Sequence, residues 1–263
     1  MATLFLIILL SAAHALSFAL SLEIHYYRNS CPRAELIVKQ IVKKHFQQDQ
    51  SVPAGLLRGA AYALPTGRRD GNVSKIEEVH LPSPYFSIQA AEAAFKSINL
   101  DVVDLTTLLG AHGVGFCHCG LLNDRLYNYQ GTGLSDPRIP PALLASLKQK
   151  CPPEVVLPSN LTVDAKIFLN QATSSPFVLD SSFYQGLINQ KALLQLDQDL
   201  AYTDLSLKWA KRFVRKPKRF IHQFSKSMIK LGNVGVLTGK DGEIRQNCRK
   251  VNKDTSTSSK TLP

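Results

Sequence analysis

The sequence has no internal repeat and no strongly alternating run of apolar and polar residues, which excludes a repeat array and argues against a sheet-built architecture. Past its N-terminus it also lacks any apolar stretch approaching the ~18 residues that a spanning helix needs. Acidic residues are short: 20 Asp and Glu stand against 31 Lys and Arg, a formal net charge of +11. Of its 263 residues 44% are apolar, which suits one large or two small globular units and argues against wholesale disorder.

What is present begins with the apolar run Leu4-Phe5-Leu6-Ile7-Ile8-Leu9-Leu10, followed by the small residues Ser11, Ala12, Ala13, Ala15 and Ser17. Residues 1–21 read as a secretory signal peptide, although the segment before the run holds no Lys or Arg. His14 and Ser17 interrupt the run before it could anchor the chain in a bilayer, so no membrane attachment is expected after cleavage. Secretion would put the five cysteines, at 31, 117, 119, 151 and 248, in a disulfide-forming compartment, where the odd count leaves at least one unpaired. Two glycosylation sequons, Asn72-Val73-Ser74 and Asn160-Leu161-Thr162, suit the same compartment.

The periodicities are helical. Arg33 to Phe46 carries an apolar stripe behind Pro32, Ala54 to Ala63 has room for a shorter helix, and Pro65 to Pro84, with Gly67, Asp70, Gly71 and Pro82, reads as loop. Further helices are expected over Ser87 to Phe95, Pro140 to Lys150, Ser182 to Asn189 and Arg219 to Leu231, and residues 252–263 read as a disordered tail. The fold class is therefore mostly α.

The best lead to chemistry is Asp104 to Cys119. Leu105, Leu108 and Leu109 precede His112 by seven, four and three positions, so on a helix capped by Asp101 or Asp104 all four share one face, and the imidazole points into an apolar core that could hold a cofactor. Cys117-His118-Cys119 has no second half-site and is weak evidence for zinc. Lys208, Lys211, Arg212, Arg215, Lys216, Lys218 and Arg219 crowd a dozen residues. A solvated helix face is the plain reading and an anionic polysaccharide the sharper one; nucleic acid is disfavoured, because no aromatic interleaving or binding module accompanies the run.

Several blocks together resemble one family. They are Tyr26 to Glu35, Pro65 to Gly71, Leu81 to Pro84, Asp104 to Cys119, Asp124 to Tyr127, Leu196 to Leu200, Leu231 to Gly239 and Asn247 to Arg249, and in this order they are similar to plant secretory (class III) haem peroxidases. The resemblance implies a haem-peroxidase-like helical fold as a single domain over 22–251, a haem b, structural calcium, and hydrogen-peroxide-dependent oxidation of small phenolic donors by a monomer in the extracellular space or cell wall. It makes His112 the iron ligand, with Asp204 the expected acceptor for its other nitrogen, and Arg58 the donor that stabilises charge on the departing peroxide oxygen. Pro82 matches the proline beside the donor channel. Gly113, Ser175, Val178 and Asp180 match calcium positions loosely, with Gly113 where a hydroxyl residue is expected and Ala172 near where a carboxylate is.

The pattern breaks after Arg58. There the chain runs directly into Gly59-Ala-Ala-Tyr-Ala-Leu-Pro65, which matches a later segment, so a block holding the distal histidine is missing and the fold is truncated internally. Neither His45 nor His80 stands in the matching position. Losing general acid/base transfer is worth about 100- to 10,000-fold in rate, so weak or absent turnover is expected. The resemblance pairs Cys119 with Cys151 and leaves Cys31 and Cys248 without their partners, while Cys117 is an addition. A non-enzymatic secreted basic protein that binds anionic cell-wall polysaccharide is the alternative, and a chain that does not fold stably is a third.

Overall fold

A computed structural model describes residues 22–48, 62–73, 75–78, 82–153, 164–171 and 176–252. The expected signal peptide, residues 54–61 of the short helix expected over Ala54 to Ala63, Arg58, His80, Ser175, the Asn160 sequon and residues 253–263 lie outside the described residues, while Tyr62 and Ala63 are described and not helical. Among those described the chain is mostly helical, with helices α1 (Ala34–Gln48), α2 (Ile88–Ser97), α3 (Val102–Leu109), α4 (Asn123–Tyr127), α5 (Pro141–Lys150), α6 (Ser182–Ile188), α7 (Gln195–Asp199), α8 (Asp204–Arg215) and α9 (Pro217–Leu231). Two three-residue strands, β1 (Phe116–His118) and β2 (Lys166–Phe168), pair antiparallel with Cys117 opposite Ile167. Among the described residues no helix is long and apolar enough to cross a membrane.

The chain divides into two compact units. The first comprises residues 1–40, 63–80 and 232–263. Its described part is stitched by β-bridges between Glu23 and Thr66, Arg69 and Leu237, and Asp70 and Glu243. The Arg68 guanidinium donates to the Gly232 carbonyl at 2.6 and 2.9 Å. Gly242, at φ +66°, lies against the Asp70 carbonyl, and a Cβ there would also meet the Leu237 side chain at 2.9 Å, so the turn admits only glycine. Leu36, Ile37 and Val38 on α1 are exposed, as are Cys31 and Cys248, both of them free thiols.

The second unit, residues 41–62 and 81–231, carries the cavity. Its larger core gathers α2, α3, α6, α8 and α9 around Leu105, Phe183, Tyr184, Leu187, Phe213, Phe220 and Phe224. Tyr184 stacks at 4.9 Å on Phe213 and 5.1 Å on Phe220, and its hydroxyl donates to the Thr106 carbonyl at 3.0 Å, which satisfies the one polar atom in the stack. The stack crowds the end of α3, where a Cβ on Gly110 would meet the Phe220 ring at 2.8 Å and the Tyr184 hydroxyl closer still.

The start of α3 is equally fixed. Asp101 is its N-cap, accepting from the Asp104 N–H at 2.8 Å, while Asp104 accepts from the Asp101 N–H at 3.2 Å, a reciprocal capping box. Asp104 is fully buried and also accepts from the Ser227 hydroxyl and the Lys230 ammonium of α9, both at 2.7 Å. Burial pushes its carboxyl up, and these bonds more than offset that, leaving it below the usual carboxylate range.

A smaller core packs Leu122, Leu126, Ile139, Leu147, Ile167, Leu193 and Leu194 around the Cys119–Cys151 disulfide, which links residues 32 apart. Beside it the buried Arg125 pairs with Asp136 at 2.8 Å and donates to the carbonyls of Ala192 and Leu193 at 2.7 and 2.6 Å. Those carbonyls belong to the segment that enters α7, so Arg125 fixes where α7 begins.

Candidate active site

Helix α3 ends at Leu109, and His112 stands in the 3₁₀ turn Gly110–Gly113 that continues it. The tighter turn still delivers the expected face, because residues three apart eclipse in a 3₁₀ turn and His112 falls beneath Leu109. Leu105, Leu108, Leu109 and His112 line one cavity of about 360 Å³. Pro82, Pro84, Phe95, Leu121, Leu194, Leu196 and Asp197 complete its wall. The size is at the lower end of ligand-binding clefts and the lining is almost wholly apolar.

His112 Nδ1 is 2.9 and 3.0 Å from the two oxygens of Asp197 on α7. The carboxylate is the acceptor, so Nδ1 carries the proton and Nε2 is the nitrogen left for the cavity. Burial pushes the imidazole pKa down, and the charge and hydrogen bond of Asp197 together overcome this, holding it above the ordinary histidine value. Asp197 is 3% exposed whereas His112 keeps 34% of its side-chain surface, as a group aimed into an open cleft would.

The expectation that Asp204 accepts from His112 is therefore corrected. Asp204 is exposed in the first turn of α8, where its charge complements the positive end of the helix. The acceptor comes instead from the block Leu196-Asp-Gln-Asp-Leu200, in which Asp197 and Gln198 are buried. An acidic pair framed by leucines was the available signal. Gln198 explains the burial of its own amide, for it donates to the Leu187 carbonyl at 3.1 Å and accepts from the Ala192 N–H at 3.3 Å.

The other sequence candidates fall as follows. Pro82 shares the cavity with His112. Gly113 lies beside the Asp180 backbone, its ideal Cβ position 3.8 Å from that carbonyl, and Val178 precedes Asp180 in the same half-buried segment. The Asp180 carboxylate accepts from the Ser182 N–H at 2.8 Å and from the Ser182 hydroxyl. Ser175, the fourth of these positions, lies outside the described residues, and among the described residues no group of three or more His, Cys, Asp or Glu side chains could hold a metal ion. Cys117-His118-Cys119 is no zinc site either: Cys119 is in the disulfide, His118 is exposed beside Asp164, and burial, then the Asp197 charge, pushes the Cys117 thiol up to about 11.

The residues fit a haem. A planar apolar group with a ligand-seeking iron requires a greasy wall, one neutral imidazole nitrogen and an acceptor behind it, which are the leucines, His112 Nε2 and Asp197. Among the described residues the cavity has no second histidine on its wall.

Residues 51–216 match the sequence profile of the family described as Peroxidase. Two Arabidopsis thaliana relatives are Probable peroxidase 61, 39% identical over 192 residues, and Peroxidase 57, 40% identical over 197 residues. The matches cover 73% and 75% of this chain, and the chain spans just 56% and 59% of the length of those relatives. Peroxidase 25 of the same plant is 30% identical over 304 aligned positions, which cover 86% of this chain and 90% of the relative. That alignment is longer than the 263-residue chain itself, so it needs internal gaps on this chain's side.

Proposed function

The chain belongs to the peroxidase family, and from that premise we propose that it holds haem b through His112 and is a weak hydrogen-peroxide-dependent oxidant of small phenolic donors. Haem, when bound, supplies the redox chemistry with peroxide. The observation that carries the reading is the His112–Asp197 pair at 2.9 Å on the wall of an apolar cavity. Asp197 holds the Nδ1 proton, so it fixes the tautomer, orients the ring and makes Nε2 a stronger donor toward iron. Leu105, Leu108, Leu109 and Leu196 give the imidazole an apolar surround, and Pro82 lies on the same cavity wall, where a small donor would approach.

Turnover is proposed to be weak because no described residue of the cavity is placed to pass a proton between the two peroxide oxygens. Asp197 is committed to His112. The gaps against Peroxidase 25 support a missing internal block, in keeping with the break after Arg58. Residues 1–21 support secretion, and the proposed setting is extracellular.

The test is reconstitution of the mature chain with ferric haem. Wild-type protein is expected to give the optical spectrum of imidazole-ligated iron, His112→Ala is expected to lose it, and phenol oxidation by the wild type is expected to be slow. An unchanged spectrum in His112→Ala overturns the assignment of the ligand; a full peroxidase rate overturns the account of the missing proton-transfer group.

A further inference from the structure

The first of the two units has no apolar core of its own. Gly67 alone of its described residues is buried, and both apolar cores draw all their buried residues from the second unit. What orders the first unit is polar: the three β-bridges, the Arg68 guanidinium on the Gly232 carbonyl, and the Arg245 guanidinium on the Gly71 carbonyl at 2.8 Å. Nine of its large apolar residues meanwhile stay exposed, among them Leu36, Ile37, Val38, Ile244 at 62% and Ile76 at 83%. Their accessible surface is on the order of 900 Å², about what one partner (~800 Å²) brings to a stable protein–protein interface. A small unit that buries so little by itself gains that burial through association.

Two of these exposed features are complementary in charge. Ile76, the most exposed of the nine, opens the 3₁₀ turn Ile76–Glu78, so two carboxylates follow it directly. On α1, Ile37 and Ile41 share a face with Lys44, seven positions after the one and three after the other, and Lys43 follows Leu36 by seven. Glu77, Glu78, Lys43 and Lys44 are all exposed, and among the described residues none of their side chains is in an ion pair. Glu35, the one acid on α1, is already engaged by His25 at 3.1 Å. Since the turn and the helix stripe are both exposed, they do not cover one another within one chain.

We propose that the chain forms a two-fold symmetric dimer in which the Ile76–Glu78 turn of each copy packs on the α1 stripe of the other. Ile76 meets Leu36, Ile37 and Ile41, while Glu77 and Glu78 meet Lys43 and Lys44. Two-fold symmetry makes each of these contacts twice. A second copy is the occupant the observations favour, because one chain supplies both the acidic apolar knob and the basic apolar stripe, and leaves each without a partner. A lipid surface would take an amphipathic helix bordered by cations, whereas here two carboxylates adjoin the most exposed apolar residue. The dimer departs from the monomer that the family resemblance implies, and it rests on neither haem nor peroxide chemistry.

The test is sedimentation equilibrium of the full mature chain at about 1 to 100 μM, with reductant present so that the exposed thiols of Cys31 and Cys248 do not cross-link copies. A reversible monomer–dimer equilibrium is expected. Glu77→Lys with Glu78→Lys, and separately Lys43→Glu with Lys44→Glu, are each expected to weaken it roughly tenfold or more, and all four together to restore it to within about threefold of wild type. The lysine reversal lowers the net positive charge, so a general relief of repulsion would instead strengthen association. Ile76→Ser is expected to weaken the dimer roughly tenfold or more, whereas Leu134→Ser, exposed on the second unit, should leave it within about twofold. Far-ultraviolet circular dichroism should be unchanged throughout, since every altered side chain is exposed. A chain that stays monomeric to about 100 μM overturns the proposal, whether residues 49–61 of the same chain or water then cover the stripe. So does a dimer that vanishes with reductant, one indifferent to both charge reversals, no recovery in the fourfold variant, or assembly that grows past two copies.

Discussion

Replacing Asp197 is the sharpest probe of the cavity. The carboxylate places both oxygens within 3.0 Å of His112 Nδ1, but the ring has one proton there, so the pair counts as a single charge-assisted bond shared between two acceptor atoms. A buried bond to a charged group contributes about 1.5 to 3 kcal/mol. At 1.36 kcal/mol per factor of ten, its loss corresponds to roughly a 10- to 100-fold weaker hold on iron, the range in which outer hydrogen-bond partners of metal ligands act. Asp197→Ala removes the whole bond and should show the full loss in a ferric-haem titration followed by absorbance. Asp197→Asn keeps an acceptor without the charge and should fall between the two. It should also bring the His112 pKa down in haem-free protein, where the imidazole titration is readable by NMR, because burial then acts without the carboxylate that opposes it. Asp204→Ala, on the exposed first turn of α8, should leave haem affinity within about twofold, the effect of a surface charge. If Asp204→Ala weakens haem as much as Asp197→Ala, or if Asp197→Ala has no effect, the geometry derived above does not govern the ligand.

Two further outcomes follow from the core. Asp104 is held below the usual carboxylate range by Lys230, Ser227 and the Asp101 N–H, so its contribution to stability is present above the unfolded carboxyl pKa and is lost as pH falls through the depressed folded one. Thermal melts below about pH 4 should therefore drop more steeply for wild type than for Asp104→Asn, and parallel curves would count against the pair. Gly110→Ala should destabilise by about 1 to 3 kcal/mol, read by urea denaturation, because the added methyl collides with the Phe220 ring and the Tyr184 hydroxyl; a neutral result would mean that the aromatic stack yields easily.

How far the sequence could carry the argument is clearest at the two ends of the His112 pair. The spacing of Leu105, Leu108, Leu109 and His112 specifies a shared face from local geometry alone, and all four line the cavity, although the last stands in a 3₁₀ turn rather than on the helix proper. The cap is narrowed locally to Asp101 or Asp104, and the structure makes Asp101 the N-cap with Asp104 its reciprocal partner. The acceptor was not, because Asp197 is 85 residues away and reaches Nδ1 through tertiary packing, which no period in the sequence encodes. The resemblance points to Asp204 instead, but an acid at a helix start has a local use of its own. The apolar stripe of α1 illustrates the converse: its period specifies a helix, yet Leu36, Ile37, Val38 and Ile41 are exposed, since periodicity names a face and not what covers it.

Arg125 touches neither the cavity nor His112, yet its guanidinium grips the two carbonyls that lead into α7. The position of the Asp197 carboxylate is thus leveraged on a cation seated in the other core, next to the cystine. Loss of the Asp136 carboxylate that holds this guanidinium at 2.8 Å would therefore reach the imidazole by way of the backbone, as a shift in the pivot rather than the loss of any atom in the pocket.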